Sequence, residues 1–163
     1  MEELLDAISL LLLLGVANGT PILARRLLGE RWAWPIDGGL RFVDGRPLLG
    51  RGKTWRGLAV AIVATACAAP MFGISPALGA ALGATSMAGD ALSSFLKRRL
   101  GLESGAQCHG LDQVPEALLP LLVVAAPLGL SALQIAGVTL VFYALELPLA
   151  RLLFRLGIRE RPY

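Results

Sequence analysis

Three runs without a charged residue constrain this chain most. Ala7 to Ala24 is 18 residues long, Gly57 to Gly89 is 33 and Ala117 to Leu145 is 29. A helix of about 20 residues crosses the hydrocarbon core of a bilayer. The two longer runs therefore each hold two crossings, provided something divides them. Both contain a divider of Gly and Pro, GISP at residues 73–76 and PLGLS at residues 127–131. The pattern predicts an all-α integral membrane protein, a single domain over residues 1–163. Its five transmembrane helices fall at about 4–24, 57–73, 77–96, 114–129 and 132–153. A hydrophobic fraction of 55% and a mean hydropathy of +0.65 agree.

The cations test this division independently. Eight lie in the 25–56 connection: Arg25, Arg26, Arg31, Arg41, Arg46, Arg51, Lys53 and Arg56. Lys97, Arg98 and Arg99 open the 97–113 connection, and Arg151, Arg155, Arg159 and Arg161 lie toward the C-terminus. Together these are all 15 Lys and Arg residues, and alternate connections carry none. Lys and Arg collect on the cytoplasmic side. The N-terminus is therefore expected outside, and the C-terminus and both charged loops in the cytoplasm. The basic pI of about 9.3 follows from topology and does not call for nucleic acid as a partner. The acidic start, MEELLD, argues against a cleaved signal peptide. Cys67 falls in a span and Cys108 in a cytoplasmic loop, so no disulfide is expected.

Function must then lie on the cytoplasmic side, because the external connections are only a few residues long. The 25–56 loop contains LRFVDGRPLL, whose alternation around Asp44-Gly45 predicts a small β-hairpin. Trp32 and Trp34 are expected at the membrane surface. The loop ends in GRGKTWRG, residues 50–57. This is not a phosphate-binding P-loop, which would need Gly where Pro47 stands. Its glycines nonetheless expose backbone N–H groups, and Lys53, Thr54 and Arg56 add donors that suit phosphate oxygens. An ordinary juxtamembrane basic cluster reads the same way.

Asp90 is the unusual residue. It sits in an apolar, small-residue stretch about six residues, roughly 9 Å, from the end of its span. An ionised group at that depth faces a polar cavity or a partner. Asp90, Ser93, Ser94 and Lys97 share one helix face. Lys97 is about 10 Å along the axis, far for a direct ion pair but comfortable across a bound phosphate. Asp112 follows in the next loop, in CHGLDQVPE. Two hard carboxylates suit Mg²⁺, which takes one or two carboxylates plus substrate phosphates. His109, in the same loop, could contact phosphate or hold Asp112. Asn18-Gly19-Thr20-Pro21 is expected to break the first span where it lines a cavity. Glu146 is a third acid at membrane depth, with Arg151 and Arg155 near it in sequence.

From Ser94 to Val114 the chain reads SFLKRRLGLESGAQCHGLDQV. A Ser, a Lys-Arg pair, a Gly-containing spacer, then His-Gly and an Asp resemble the signature of the integral-membrane CTP:phosphatidate cytidylyltransferases, or CDP-diacylglycerol synthases. The shorter archaeal branch, the CDP-archaeol synthases, is similar in size and span number. It is also similar in the ANGTP, GKTWRG and GD…SFLKRR…DQ segments. The sequence departs from the wider signature after Asp112, where Pro115 stands in place of a second acid.

The resemblance implies transfer of a cytidylyl group from CTP to an ether-lipid phosphate, 2,3-di-O-geranylgeranylglyceryl 1-phosphate, with release of pyrophosphate. It implies Mg²⁺ held by Asp90 and Asp112, and catalysis by these two acids with Lys97. Gly52, Lys53, Thr54, Arg56, Asn18, Arg98 and His109 would contact the nucleotide or its phosphates. The implied setting is the cell membrane, with the site facing the cytoplasm. Read from the residues alone, two other functions stay open. One is a small transporter or channel with Asp90 on the ion path. The other is a structural subunit that binds anionic lipid head groups.

Overall fold

A computed structural model of the protein describes residues 2–157. Five helices follow one another: α1 Glu2–Leu28, α2 Trp55–Ala68, α3 Pro76–Arg99, α4 Gln113–Leu128 and α5 Ala132–Arg155. A 3-10 turn, Ala69–Phe72, extends α2. Each element lies within a few residues of its predicted span. Of the four Lys and Arg expected toward the C-terminus, Arg159 and Arg161 fall outside the described residues.

The dividers end helices and start them. Gly73 and Gly129 both adopt the left-handed conformation after the preceding turn. Ser75 then caps α3 by accepting from the Leu78 N–H, with Pro76 in the first turn. Ser131 caps α5 in a reciprocal capping box with Gln134.

α1, α2 with its 3-10 turn, and α5 are long and apolar enough to cross a membrane, and α4 is a shorter apolar helix. α3 has the length, but its Gly, Ser and Thr residues lower its hydropathy. It is the inner helix, packed between α2 and α4 and touching α1. Large side chains on the other helices point outward, among them Leu12, Val63, Leu122, Val141 and Leu149. Apolar surface on this scale belongs against lipid. The protein is a multi-pass membrane protein. Leu13, Leu14, Leu82, Leu121 and Val124 fill the middle of the bundle, fully buried.

Small residues on α3 let the neighbours approach. A Cβ at Gly79 would fall 2.6 Å from the Thr65 carbonyl oxygen of α2, and one at Gly83 2.8 Å from the Ala61 carbonyl oxygen. One at Gly89 would land on the Pro115 carbonyl of α4. Close backbone approach of this kind drives helix association in lipid, where apolar burial gives no advantage. Gly89→Ala is therefore expected to destabilise the protein by about 1–3 kcal/mol through overpacking. Gly137→Ala on α5, where a Cβ meets nothing within 4 Å, should be neutral. Thermal unfolding of the two variants in detergent checks the contrast.

Two predicted local features differ from the structure. α1 is not broken at Asn18–Pro21 but runs through it, with Pro21 inside the helix. Proline removes one backbone donor, yet polar side chains back-bond to the same region. Asn18 Nδ2 donates to the Leu14 carbonyl (3.0 Å) and Thr20 Oγ1 to the Val16 carbonyl (2.8 Å). Without water in the bilayer, keeping the remaining ladder costs less than exposing it.

The hairpin around Asp44 is likewise no pair of strands. The described residues hold only isolated bridges, Arg41 with Pro47 and Pro35 with Thr54. The Gly45 N–H reaches Phe42 and the Phe42 N–H reaches Arg46, both at 2.9 Å. Gly45, at φ 74°, thus closes a three-residue loop as its left-handed residue. The turn centre lies at Val43-Asp44, and too few residues flank it to form a ladder.

Candidate active site

The charged ends of all five helices meet at one end of the bundle. Between them lies a cavity of about 1070 Å³. α4 helps to sink it into the membrane. Its 16 residues rise only about 24 Å, less than the roughly 30 Å hydrocarbon core.

The cavity wall is built from separate pieces of chain. Asp37 holds the long loop in shape. One carboxylate oxygen accepts from the Gly39 N–H (3.0 Å), and the other from Leu49 (2.9 Å) and Gly50 (3.4 Å). Burial alone would raise the Asp37 pKa, but these three backbone donors outweigh it and hold the carboxyl below its ordinary value. Next, the Ile36 N–H bonds the Lys53 carbonyl (2.8 Å) and the Trp55 N–H bonds the Trp34 carbonyl (3.0 Å). These bonds fix Lys53 and Thr54 against the first half of the loop. Trp32 and Trp34 are exposed there, as an interfacial position requires. Thr54 caps α2, accepting from the Gly57 N–H (3.1 Å), and its hydroxyl proton is left to donate. The α2 N-terminus thus brings its positive end to the cavity.

Two crossed ion pairs face the same space. Lys53 Nζ meets Asp90 of α3. Lys97 Nζ, at the far end of α3, meets Asp112 at 2.5 Å and donates to the Ala106 carbonyl at 3.1 Å. Asp112 stands at the start of α4, but its other oxygen accepts from the Cys108 N–H (2.8 Å), so it ties the second loop together. Burial pulls the Lys53 ammonium pKa down. The Asp90 carboxylate, followed by Glu116, more than offsets this and holds it above the usual lysine value.

The other expected site residues divide. Gly52, Lys53, Thr54, Arg56, Asp90, Lys97 and Asp112 all line the cavity. Arg56 also spends Nη1 on the Gly29 (2.8 Å) and Arg31 (2.5 Å) carbonyls beyond α1, so it is a tether as well. Asn18, Arg98 and His109 do not line it. Asn18 Nδ2 donates to Ser86 Oγ (3.0 Å), which donates to the Glu116 carbonyl (3.0 Å), clasping α1, α3 and α4. Arg98 is buried and donates to the Glu103 carbonyl (2.7 Å), shaping the loop that follows. His109 is exposed. Ser93, on the expected Asp90 face, bonds back to the Asp90 carbonyl at 3.0 Å.

Sequence reading missed Glu116, which lines the cavity together with Asp90. The signal was present: Asp112 and Glu116 are spaced i, i+4 and so share a helix face. Glu146, the third acid expected at membrane depth, lines the cavity too.

Among the described residues, no three His, Cys, Asp or Glu side chains are placed to hold a metal ion by themselves. The donor set nevertheless fits Mg²⁺ in its substrate-assisted mode. Hard carboxylates from α3 and α4 face a cavity large enough for phosphates to supply the remaining oxygens.

Fold and site together define a helical membrane protein with a charged, membrane-sunk cavity suited to phosphorylated molecules. The family described as CarS-like, CDP-archaeol synthase, matches the chain over residues 2–79 and 71–163. The chain belongs to this family. It is similar to the CDP-archaeol synthase of Aeropyrum pernix, 36% identical over 175 aligned positions covering 100% of this chain and 94% of the relative. It is 48% identical to the Hyperthermus butylicus CDP-archaeol synthase over 106 residues, 60% of this chain and 59% of that relative. A solved structure described as "Structural insight into an intramembrane enzyme for archaeal membrane lipids biosynthesis" superposes with a TM-score of 0.70. It is 33% identical, with 88% of this chain and 92% of that one covered.

Proposed function

We propose that the chain transfers a cytidylyl group from CTP to 2,3-di-O-geranylgeranylglyceryl 1-phosphate, giving CDP-archaeol and pyrophosphate. The reaction takes place in the membrane, in a cavity open to the cytoplasm. Membership of the family supports this, and one observation carries it: two lysine–carboxylate pairs, from two loops and one helix, face a single cavity at the charged end of the bundle.

The chemistry asks little of a base, because a phosphomonoester is largely ionised near neutral pH. An oxygen of the lipid phosphate attacks the α-phosphorus, the bond from that phosphorus to the bridging oxygen breaks, and pyrophosphate leaves with the electron pair. The difficulty is bringing two polyanions together in line. Lys53, Thr54 and the α2 N-terminus hold phosphate oxygens on one side, and Lys97 on the other. In the structure each lysine is satisfied by a carboxylate. A triphosphate offers both a stronger anion, which frees Asp90 and Asp112. These two, with Glu116 beside Asp90, are the residues that would hold Mg²⁺, which supplies charge neutralisation for the triphosphate and the departing pyrophosphate. The membrane-sunk position lets water-soluble CTP meet a lipid whose tails stay in the bilayer.

A through-channel reading has no support in the bundle, whose middle is filled by fully buried Leu and Val. The test of function is product identity: mass spectrometry of lipid extracts after incubation with CTP, Mg²⁺ and the lipid phosphate should find the CDP-lipid. Orientation has its own test. Val43, 94% exposed on the long loop, is replaced by Cys in a Cys67→Ser/Cys108→Ser background. An impermeant maleimide is expected to label inverted vesicles and spare right-side-out cells. The reverse would place the cavity outside.

A further inference from the structure

Outside the cavity the long loop is joined to the end of α3, and each side lends the joint an arginine. Arg99, in the last turn of α3, enters the tip of the loop. Its Nη1 donates to Asp44 (2.6 Å) and its Nη2 to the Pro47 carbonyl (2.5 Å). The same guanidinium lies over the Phe42 ring of the loop (4.7 Å to the centroid) and the Phe95 ring of α3 (5.1 Å). The two rings pack edge to face with centroids 5.4 Å apart. None of these residues lines the cavity.

Arg46 returns the contact from the loop. Its Nη1 donates to the Arg99 carbonyl (2.7 Å) and the Arg98 carbonyl (3.4 Å), at the negative end of the helix, where a cation is favoured. Gly101, at φ 79°, leaves room for it: a Cβ there would fall 3.3 Å from the Arg46 guanidinium. The loops touch again at Gly50, where a Cβ would fall 2.8 Å from Ser104 Oγ. A forked donor that also stacks on aromatic faces is a use of arginine that lysine does not replace.

The joint lies between the two lysines that face the cavity. Lys97 is two residues before Arg99 on the same turn, and Lys53 is seven residues after Arg46. In the structure the Lys53–Asp90 pair also ties the loop to α3. A triphosphate that takes Lys53 dissolves that tie, and the arginine joint is what then fixes the loop.

We propose that Arg46 and Arg99 are positioning residues for cytidylyl transfer, holding Lys53 and Lys97 at a set separation while the triphosphate lies between them. This rests on the transferase reading above. Either lysine can hold a phosphate singly, so binding of CTP tolerates a loosened loop. In-line transfer needs both in place at once, and a misplacement of about 1 Å can cost a hundredfold in rate.

The test compares wild type, Arg46→Met, Arg99→Met, the double variant and, as a control exposed on α5, Arg151→Gln. Turnover is counted per folded molecule, and CTP affinity is measured in detergent without lipid. Each single variant is expected to lose kcat by about tenfold to a hundredfold and to keep CTP affinity within about threefold. Two arginines in one joint do not act independently, so the double variant should fall no more than about threefold below the worse single. Hydrogen exchange should quicken over residues 40–50 in both singles while α1, α2 and α4 stay protected, and Arg151→Gln should match wild type throughout. A lower melting temperature with kcat per folded molecule unchanged would overturn the proposal, because the joint would then serve stability alone. Losses that multiply fully in the double variant would also overturn it. Wild type that forms no CDP-lipid would instead count against the transferase reading. Exchange then decides whether the joint exists, and unchanged exchange over residues 40–50 would sink it.

Discussion

Lys53→Met is expected to lower transfer by about a hundredfold to a thousandfold, as loss of one well-placed electrostatic donor does. It is also expected to destabilise the protein, because Asp90 would be left at membrane depth without its counter-ion. Breaking a fully buried ion pair costs about 3–5 kcal/mol. Here the side chains keep 22% and 23% of their surface, which lowers the expected cost to about 1–3 kcal/mol. The double variant Lys53→Met/Asp90→Asn separates the two effects. It should regain most of the lost melting temperature, since no charge is stranded, and regain none of the turnover. Recovery of activity in the double variant would mean that the pair only holds the loop to α3.

The second large effect is expected at Asp112. Its carboxylate joins Lys97, the Cys108 backbone and the cavity, so Asp112→Asn removes a charge at the site and weakens the 100–112 loop together. Turnover should fall by about two to three orders of magnitude. Limited proteolysis should cut first in that loop, while the helices stay protected. Lys97→Met should produce the same loop exposure, because Lys97 also donates to Ala106 at 3.1 Å. If Asp112→Asn loses turnover with no change in proteolysis, the carboxylate acts on substrate alone.

Much of this architecture was legible because a bilayer leaves few choices. Uncharged runs, Gly and Pro dividers and one-sided cations determine five helices almost without regard to packing. The GKT segment and Asp90 were legible for a related reason: polar groups in such a chain need a use. What escaped was set by tertiary contact. Lys97 was expected to reach Asp90 across a phosphate, because only their shared helix was visible. The fold gives each a partner from a different segment, Asp112 and Lys53. Asn18 was read as part of a cavity-lining break, and it instead clasps three helices through Ser86, which no local pattern announces. Asp37, which no sequence motif marks, holds three backbone N–H groups of the loop that presents Lys53. Glu116 could have been found, since an acid one turn after Asp112 is a helical pair.

The most direct test is lipid-dependent pyrophosphate release from CTP by the purified chain in detergent, with and without Mg²⁺, beside Asp90→Asn. The expected result is release that requires both metal and lipid phosphate, and that falls by at least about a hundredfold in the folded variant. Release that persists without lipid phosphate, or survives unchanged in Asp90→Asn, would contradict the assignment of this cavity as the site of cytidylyl transfer.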